Sequence, residues 1–170
     1  MSRAGISVHI SGAEAETCHQ AATLLAETLG RQGYPAVVLA EEGVRQALLS
    51  ADEALLARAI GWATQLTCAA GGVALVVVGP EVGAHLIGLP DYSPGLELAV
   101  EGPFVTRAAR RLAISADPAQ LPQEVARAVL LLEEQLPSGA QAEAGPTADN
   151  VYTAEEEAYL QEHLRSLGYL

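Results

Sequence analysis

Residues Val73–Val78 read Val-Ala-Leu-Val-Val-Val, six apolar residues with no polar alternation. A run this short and this apolar is buried on both faces, which marks a central strand of a parallel sheet. Parallel neighbours need crossover connections, so helices must alternate with the strands. The chain supplies both. Gly5–Ile10, Ala36–Ala40, Leu96–Val100 and Leu112–Ser115 are further strand segments, Ala36–Ala40 again of the buried type. From Glu14 to Leu29 apolar residues recur at helical spacing (Cys18, Ala21, Ala22, Leu25, Leu29), and Gly30 ends the pattern. Ser50 and Glu53 form a capping box opening a helix to about Ala69, closed by Gly71 and Gly72. Val125, Val129, Leu132 and Leu136 lie on one stripe of a helix from Leu121 to Leu136. The expected class is α/β: a parallel sheet flanked by helices in three α/β/α layers.

The 170 residues suffice for one domain and a tail, read as a domain over 1–136, a linker over 137–150 and a helical tail over 151–170. The linker is rich in Pro, Gly, Ala and acid. In the tail, Thr153 and Glu156 make another capping box, and Leu160, Leu164 and Leu167 share a stripe with Tyr152, Tyr169 and Leu170 nearby. Such a stripe must be buried, on the protein's own domain, on a second copy in a homodimer, or on another protein as a helix in a groove. A net charge of −12 excludes nucleic-acid binding, because phosphate contacts require a cationic surplus. No apolar run is long enough to cross a membrane. Cys18 and Cys68 are too few and too far apart for a disulfide framework or a zinc site, and read as two free buried thiols suited to a reducing cytoplasm. His9 and His85 are lone histidines, at a strand end and in a loop, and no metal site is expected.

The stretch His9-Ile10-Ser11-Gly12-Ala13-Glu14-Ala15-Glu16-Thr17 stands between the first strand and the first helix, where a phosphate-binding loop lies in many α/β proteins. Together with Leu24–Leu29, Gly33-Tyr34, Leu39–Arg45, Ser50–Glu53, Arg58–Gly61, Ala70-Gly71, Pro80 and Glu101-Gly102-Pro103, it resembles the adenylylsulfate kinase family of P-loop kinases from Ile6 to Leu136. The family's phosphate loop reads Gly-Leu-Ser-Gly-Ala-Gly-Lys-Ser-Thr. The resemblance implies a P-loop fold, a nucleotide held by that loop, and Arg45 and Arg58 at positions that contact adenylylsulfate.

The same resemblance argues against the activity. His9 stands for the first glycine, Glu14 for the second, Ala15 for the lysine and Glu16 for the magnesium-binding serine, and the chain contains no lysine at all. Two carboxylates facing a polyphosphate repel it. The expected substrate arginine is Glu53, and the family's basic lid is missing between Arg110 and Arg111. Phosphoryl transfer depends on positioning and charge stabilisation, and those parts are gone together. No cofactor and no catalytic residue is assigned. Ser11, Gly12 and Thr17 keep the turn without its phosphate chemistry. Arg45 and Arg58 are either a vestigial anion pocket or surface residues, paired on the helix with Asp52 or Glu53. The expected function is a non-catalytic kinase-like module for binding, regulation or assembly. The alternative is an adenylylsulfate or nucleotide sensor, or residual enzyme, of sulfate assimilation.

Overall fold

The computed structural model describes residues 5–136 together with Glu162. In chain order the elements are β1 (Ile6–Gly12), α1 (Ala15–Arg31), β2 (Ala36–Ala40), α2 (Glu41–Leu48), α3 (Glu53–Ala69), β3 (Val73–Val77), α4 (Pro80–Ile87), β4 (Leu96–Val100), β5 (Arg110–Ile114) and α5 (Leu121–Glu133). The five strands form one sheet in the order β2-β3-β1-β4-β5, and every pairing is parallel.

Burial on both faces explains the apolar run that opened the sequence. Val73, Leu75 and Val77 of β3 enter the core shared with α1 and α5, while Val76 and Val78 enter a second core with Leu56, Ala57 and Ile60 of α3 and Val82 and Leu86 of α4. Successive strand residues point to opposite faces, so two cores from one strand mean three layers. On β1, Val8 and Ile10 face α1 and α5, which turns His9 towards the α3–α4 side.

Several local expectations give way to pairing. β1 runs two residues beyond Ile10, because Ser11 and Gly12 pair with Ala99 and Val100 of β4; ladder bonding prevails over the Ser-Gly turn signal. β2 is not a buried strand. It is the sheet edge, and Val37 and Val38 are largely exposed. The box expected at Ser50 moves to Asp52, whose carboxylate accepts from Leu55 N at 3.0 Å, while Ser50 Oγ accepts from Asp52 N at 3.1 Å. A serine two residues before a better-placed Asx cap is recruited to hold the turn instead. His85 is in the last turn of α4, not in a loop. Cys18 is buried, but Cys68 is only half-buried. The linker over 137–150 and the tail residues Tyr152, Leu160, Leu164, Leu167, Tyr169 and Leu170 lie outside the described residues. Among the described residues, no helix is long and apolar enough to cross a membrane.

Gly12 is required by packing. A Cβ there would lie 2.7 Å from Val100 O, 2.8 Å from Val100 Cβ and 2.9 Å from Cys18 Sγ, two of them atoms that a rotamer change cannot clear. Gly12→Ala is expected to cost about 1–3 kcal/mol in urea unfolding, the usual range for overpacking. A neutral effect would mean that β1 and β4 separate more easily than their register implies.

Candidate functional site

The connection after β1 passes to α1 on one face of the sheet, and the connection after β3 passes to α4 on the other. Where neighbouring strands send their chains to opposite faces, a crevice opens at their carboxyl ends. Here it is a cleft of about 470 Å³. Ser11, Gly12 and Ala13 form one wall, Val78 to Pro80 with Gly83, Ala84 and Ile87 a second, and Glu101 to Pro103 with Val105 a third. His9 also lines it.

Of the candidate phosphate-loop residues, Ser11 and Gly12 line this cleft, while Glu14, Ala15, Glu16 and Thr17 follow in the N-cap and first turn of α1. Ser11 and Gly12 belong to the strand. Glu14 is the N-cap of α1 and makes no side-chain capping bond; it accepts instead from Thr17 Oγ1 at 3.3 Å. Ala15 opens the helix, and Glu16 stands in its first turn. The positive end of the α1 dipole therefore already has two carboxylates of this chain beside it.

The two arginines are not brought together in the cleft. Arg45 pairs with Glu41, one turn earlier on α2, at 2.7 Å, and more loosely with Glu42 at 3.9 Å, rather than with Asp52 or Glu53. The i,i+4 geometry places Glu41 one turn below it, nearer than any group across the α2–α3 connection. The other oxygen of Glu41 accepts from Gly79 N at 2.7 Å, so this carboxylate bridges Arg45 to the start of α4. Arg58 is exposed and lines a different cleft of about 410 Å³, with Gly5, Ser7, Trp62, Gln65 and Cys68. Glu53 lies beside His85 at 4.0 Å. A hydrogen bond to Glu81 raises its carboxyl above the ordinary range, and repulsion by the same residue adds to the rise.

Beneath the cleft lies a buried polar network that the sequence reading missed. His9 is not a lone histidine: it is 1% exposed, and its Nδ1 is 2.7 Å from Tyr92 Oη. Across the β1–β4 ladder its register partner is Glu97, which is 0% exposed. Glu97 accepts from Val105 N at 2.6 Å, from Thr106 N at 3.1 Å and from Thr106 Oγ1 at 2.9 Å, with Arg111 Nε 3.9 Å away. Arg111 in turn donates to Thr106 O at 2.6 Å and lies 5.7 Å from the centre of the Phe104 ring. Burial lowers the His9 imidazole from 6.5 to about 4, against an opposing pull from Glu97. Burial raises the Tyr92 phenol, with Glu97 adding to it. The signal was present: one acid inside the otherwise apolar Leu96–Val100 strand has to be satisfied from somewhere.

The site where a kinase lid would be inserted is also placed. Arg110 and Arg111 are the first two residues of β5, and Glu101–Ala109 alone joins β4 to β5.

Solved structures match this chain in fold. The APS kinase CysC of Mycobacterium tuberculosis, in complex with AMPPNP and APS, matches with a TM-score of 0.59 at 17% identity, over 77% of this chain and 99% of that one. Its Cys556Ala mutant matches at 0.56 and 20% identity over the same shares. The fold is that of the adenylylsulfate kinases. The hexameric APS kinase of Thiobacillus denitrificans matches at 0.53 and 20% identity, over 79% of this chain and 30% of that one. No family model and no curated protein matches the chain by sequence. On the adenylylsulfate kinase frame, the cleft occupies the carboxyl ends of the strands, where the P-loop would stand. Among the described residues, no group of three His, Cys, Asp or Glu side chains is placed to hold a metal ion.

Two measurements check this geometry. His9 takes its proton in the unfolded chain near pH 6.5 but in the native protein only near 4, so stability must fall as the pH drops through that window. The loss is expected to be on the order of 2 kcal/mol between about pH 7.5 and 5, read from chemical unfolding, and His9→Phe is expected to remove it. Arg45→Ala is expected to lower stability by under about 1 kcal/mol, because its partner is a partly exposed neighbour on the same helix.

Proposed function

We propose that this chain is a non-catalytic relative of the adenylylsulfate kinases that works by binding and assembly. One observation carries the reading: among the described residues lining this cleft, Glu101 is the only Asp, Glu, Lys or Arg. A polyphosphate there would meet no cation, and at the α1 end it would face Glu14 and Glu16. The position of Arg58 in a separate cleft, and the engagement of Arg45 by Glu41, weigh against a retained adenylylsulfate sensor.

The assembly half of the reading rests on α3. Its inner stripe, Leu56, Ala57 and Ile60, is in the core, yet its outer side is apolar as well. Leu55, Trp62 and Leu66 are 46%, 67% and 53% exposed, and with Ala59 they follow the four-three-four spacing of a coiled-coil seam. An exposed apolar stripe of this kind is normally covered by a partner. The occupant proposed here is a second copy, because the seam is self-complementary. An antiparallel two-fold pairing sets Leu55 against the partner's Leu66, and Trp62 against the partner's Ala59, a large side chain over a small one. The tail helix over 151–170 is proposed as a second assembly element. One matching structure is of a hexameric enzyme, in keeping with a frame that supports association.

Calorimetric titration with ATP-magnesium, adenylylsulfate and its 3′-phosphorylated product is expected to show no binding; micromolar affinity for any of the three would overturn the reading. Sedimentation is expected to show self-association that Trp62→Glu abolishes. Loss on removing residues 148–170 but not on Trp62→Glu would move the interface from α3 to the tail.

A further inference from the structure

We propose that the cleft of about 410 Å³ at the amino ends of β1 and β4 binds a zwitterionic α-amino acid with an apolar side chain, its carboxylate held by Arg58 and its ammonium by Asp91. The inference goes beyond the non-catalytic reading and does not rest on it. This cleft and the one at the carboxyl ends of the strands share no lining residue.

Two elements bring the charges to it. On α3, Arg58 and Trp62 are four residues apart and therefore share one side of the helix. The second element is the connection after α4. There Leu89-Pro90-Asp91-Tyr92 forms a tight turn, closed by Tyr92 N donating to Leu89 O at 3.2 Å. Proline stands at its second position, where the fixed φ suits the turn, and Asp91 follows at the corner. The turn reaches α3 at Gly61, where an added Cβ would lie 3.0 Å from Leu89 Cδ1. Gly61 is three residues after Arg58 and next to Trp62, so the turn meets the helix beside that pair. Arg58, Trp62 and Asp91 all line the resulting cleft.

The lining selects the ligand. Arg58 and Asp91 are its only Asp, Glu, Lys or Arg residues. Among the described residues neither makes an ion pair, with the other or with any third group. A guanidinium offers a planar fork that donates two parallel hydrogen bonds to a carboxylate, and an aspartate accepts from an ammonium. A polyanion would gain one cation and meet Asp91, while an amine without an acid group would meet Arg58. The pair therefore favours a molecule that carries both charges. Trp62, 67% exposed, forms apolar surface with Leu89 and Pro90 on which a hydrocarbon side chain can lie. The volume falls within the roughly 300–1,000 Å³ of small-molecule sites.

Trp62 is the single tryptophan of the chain, so its emission reports on this cleft. The full chain is titrated with L-leucine and L-phenylalanine, and both are expected to change that emission saturably, with half-saturation at about 1 mM or below. Phenylpropionate, which lacks the ammonium, and phenylalaninol, which lacks the carboxylate, are each expected to bind about tenfold more weakly or worse. Arg58→Gln and Asp91→Asn are each expected to weaken leucine binding by a similar factor and to leave the unfolding midpoint unchanged, since both side chains are exposed. No saturable change with either amino acid up to about 20 mM, or a change that both variants leave intact, would overturn the proposal. Binding of phenylpropionate or phenylalaninol as tight as that of phenylalanine would overturn it too. Trp62 also belongs to the outer seam of α3, so sedimentation is run with and without leucine. An emission change that tracks self-association and survives Arg58→Gln counts against the proposal. Each of these failures leaves the non-catalytic reading standing, which falls instead to micromolar binding of ATP-magnesium or adenylylsulfate.

Discussion

A carboxyl group with no exposed surface needs hydrogen-bond donors around it, and removing it from water costs several kcal/mol unless they are found. Glu97 finds them in the connection between β4 and β5. Two backbone N–H groups and a threonine hydroxyl close on its oxygens, which folds Glu101–Ala109 down onto the end of the sheet. That folding sets Val105 as a wall of the main cleft and brings Arg111 over Phe104. It also leaves His9, the strand neighbour of Glu97, neutral and dependent on Tyr92. Much of what distinguishes this cleft follows from one acid in an apolar strand.

Packing alone accounts for the glycine at position 12. Gly12 sits against Val100 and Cys18 in a space that excludes a Cβ, so the residue is demanded by the approach of β1, β4 and α1. No comparable packing demand falls on Glu14 and Glu16, which are exposed at the start of α1 and free to carry charge. Packing and ligand chemistry thus make separate demands on adjacent residues.

Much of the fold was legible because its signals are local and strong. The Val73–Val78 run, the Cys18–Leu29 periodicity and the stripe through Val125, Val129 and Leu132 each reflect burial against one or two faces, and each forms the expected element. What escaped was set by distant partners. Ala36–Ala40 has the composition of a buried strand, yet its place at the sheet edge depends on strand order. The short helices α2 and α4 carry too few turns for a periodic pattern; α4 starts where Glu41, thirty-eight positions earlier, meets Gly79 N. Of the candidate site, the residues around Ser11–Thr17 were found by position. Glu97 showed only as one acid in an apolar strand, and Tyr92 and Thr106 did not show at all, because a side chain's hydrogen-bond partner across a sheet leaves no trace in spacing.

The unequal edges of the sheet have a consequence of their own. At β5, Arg110 and Arg111 begin the strand, and Arg110 is pinned to Glu134 at 2.7 Å. Bulky cations along a border repel the approach of another strand. At β2 the border carries Val37 and Val38, with no charge within the strand. Under partial unfolding or at high concentration, unwanted sheet growth would therefore be directional, beginning beside β2. A lysine in place of Val37 is the kind of change that would make the protein easier to concentrate without touching its cleft.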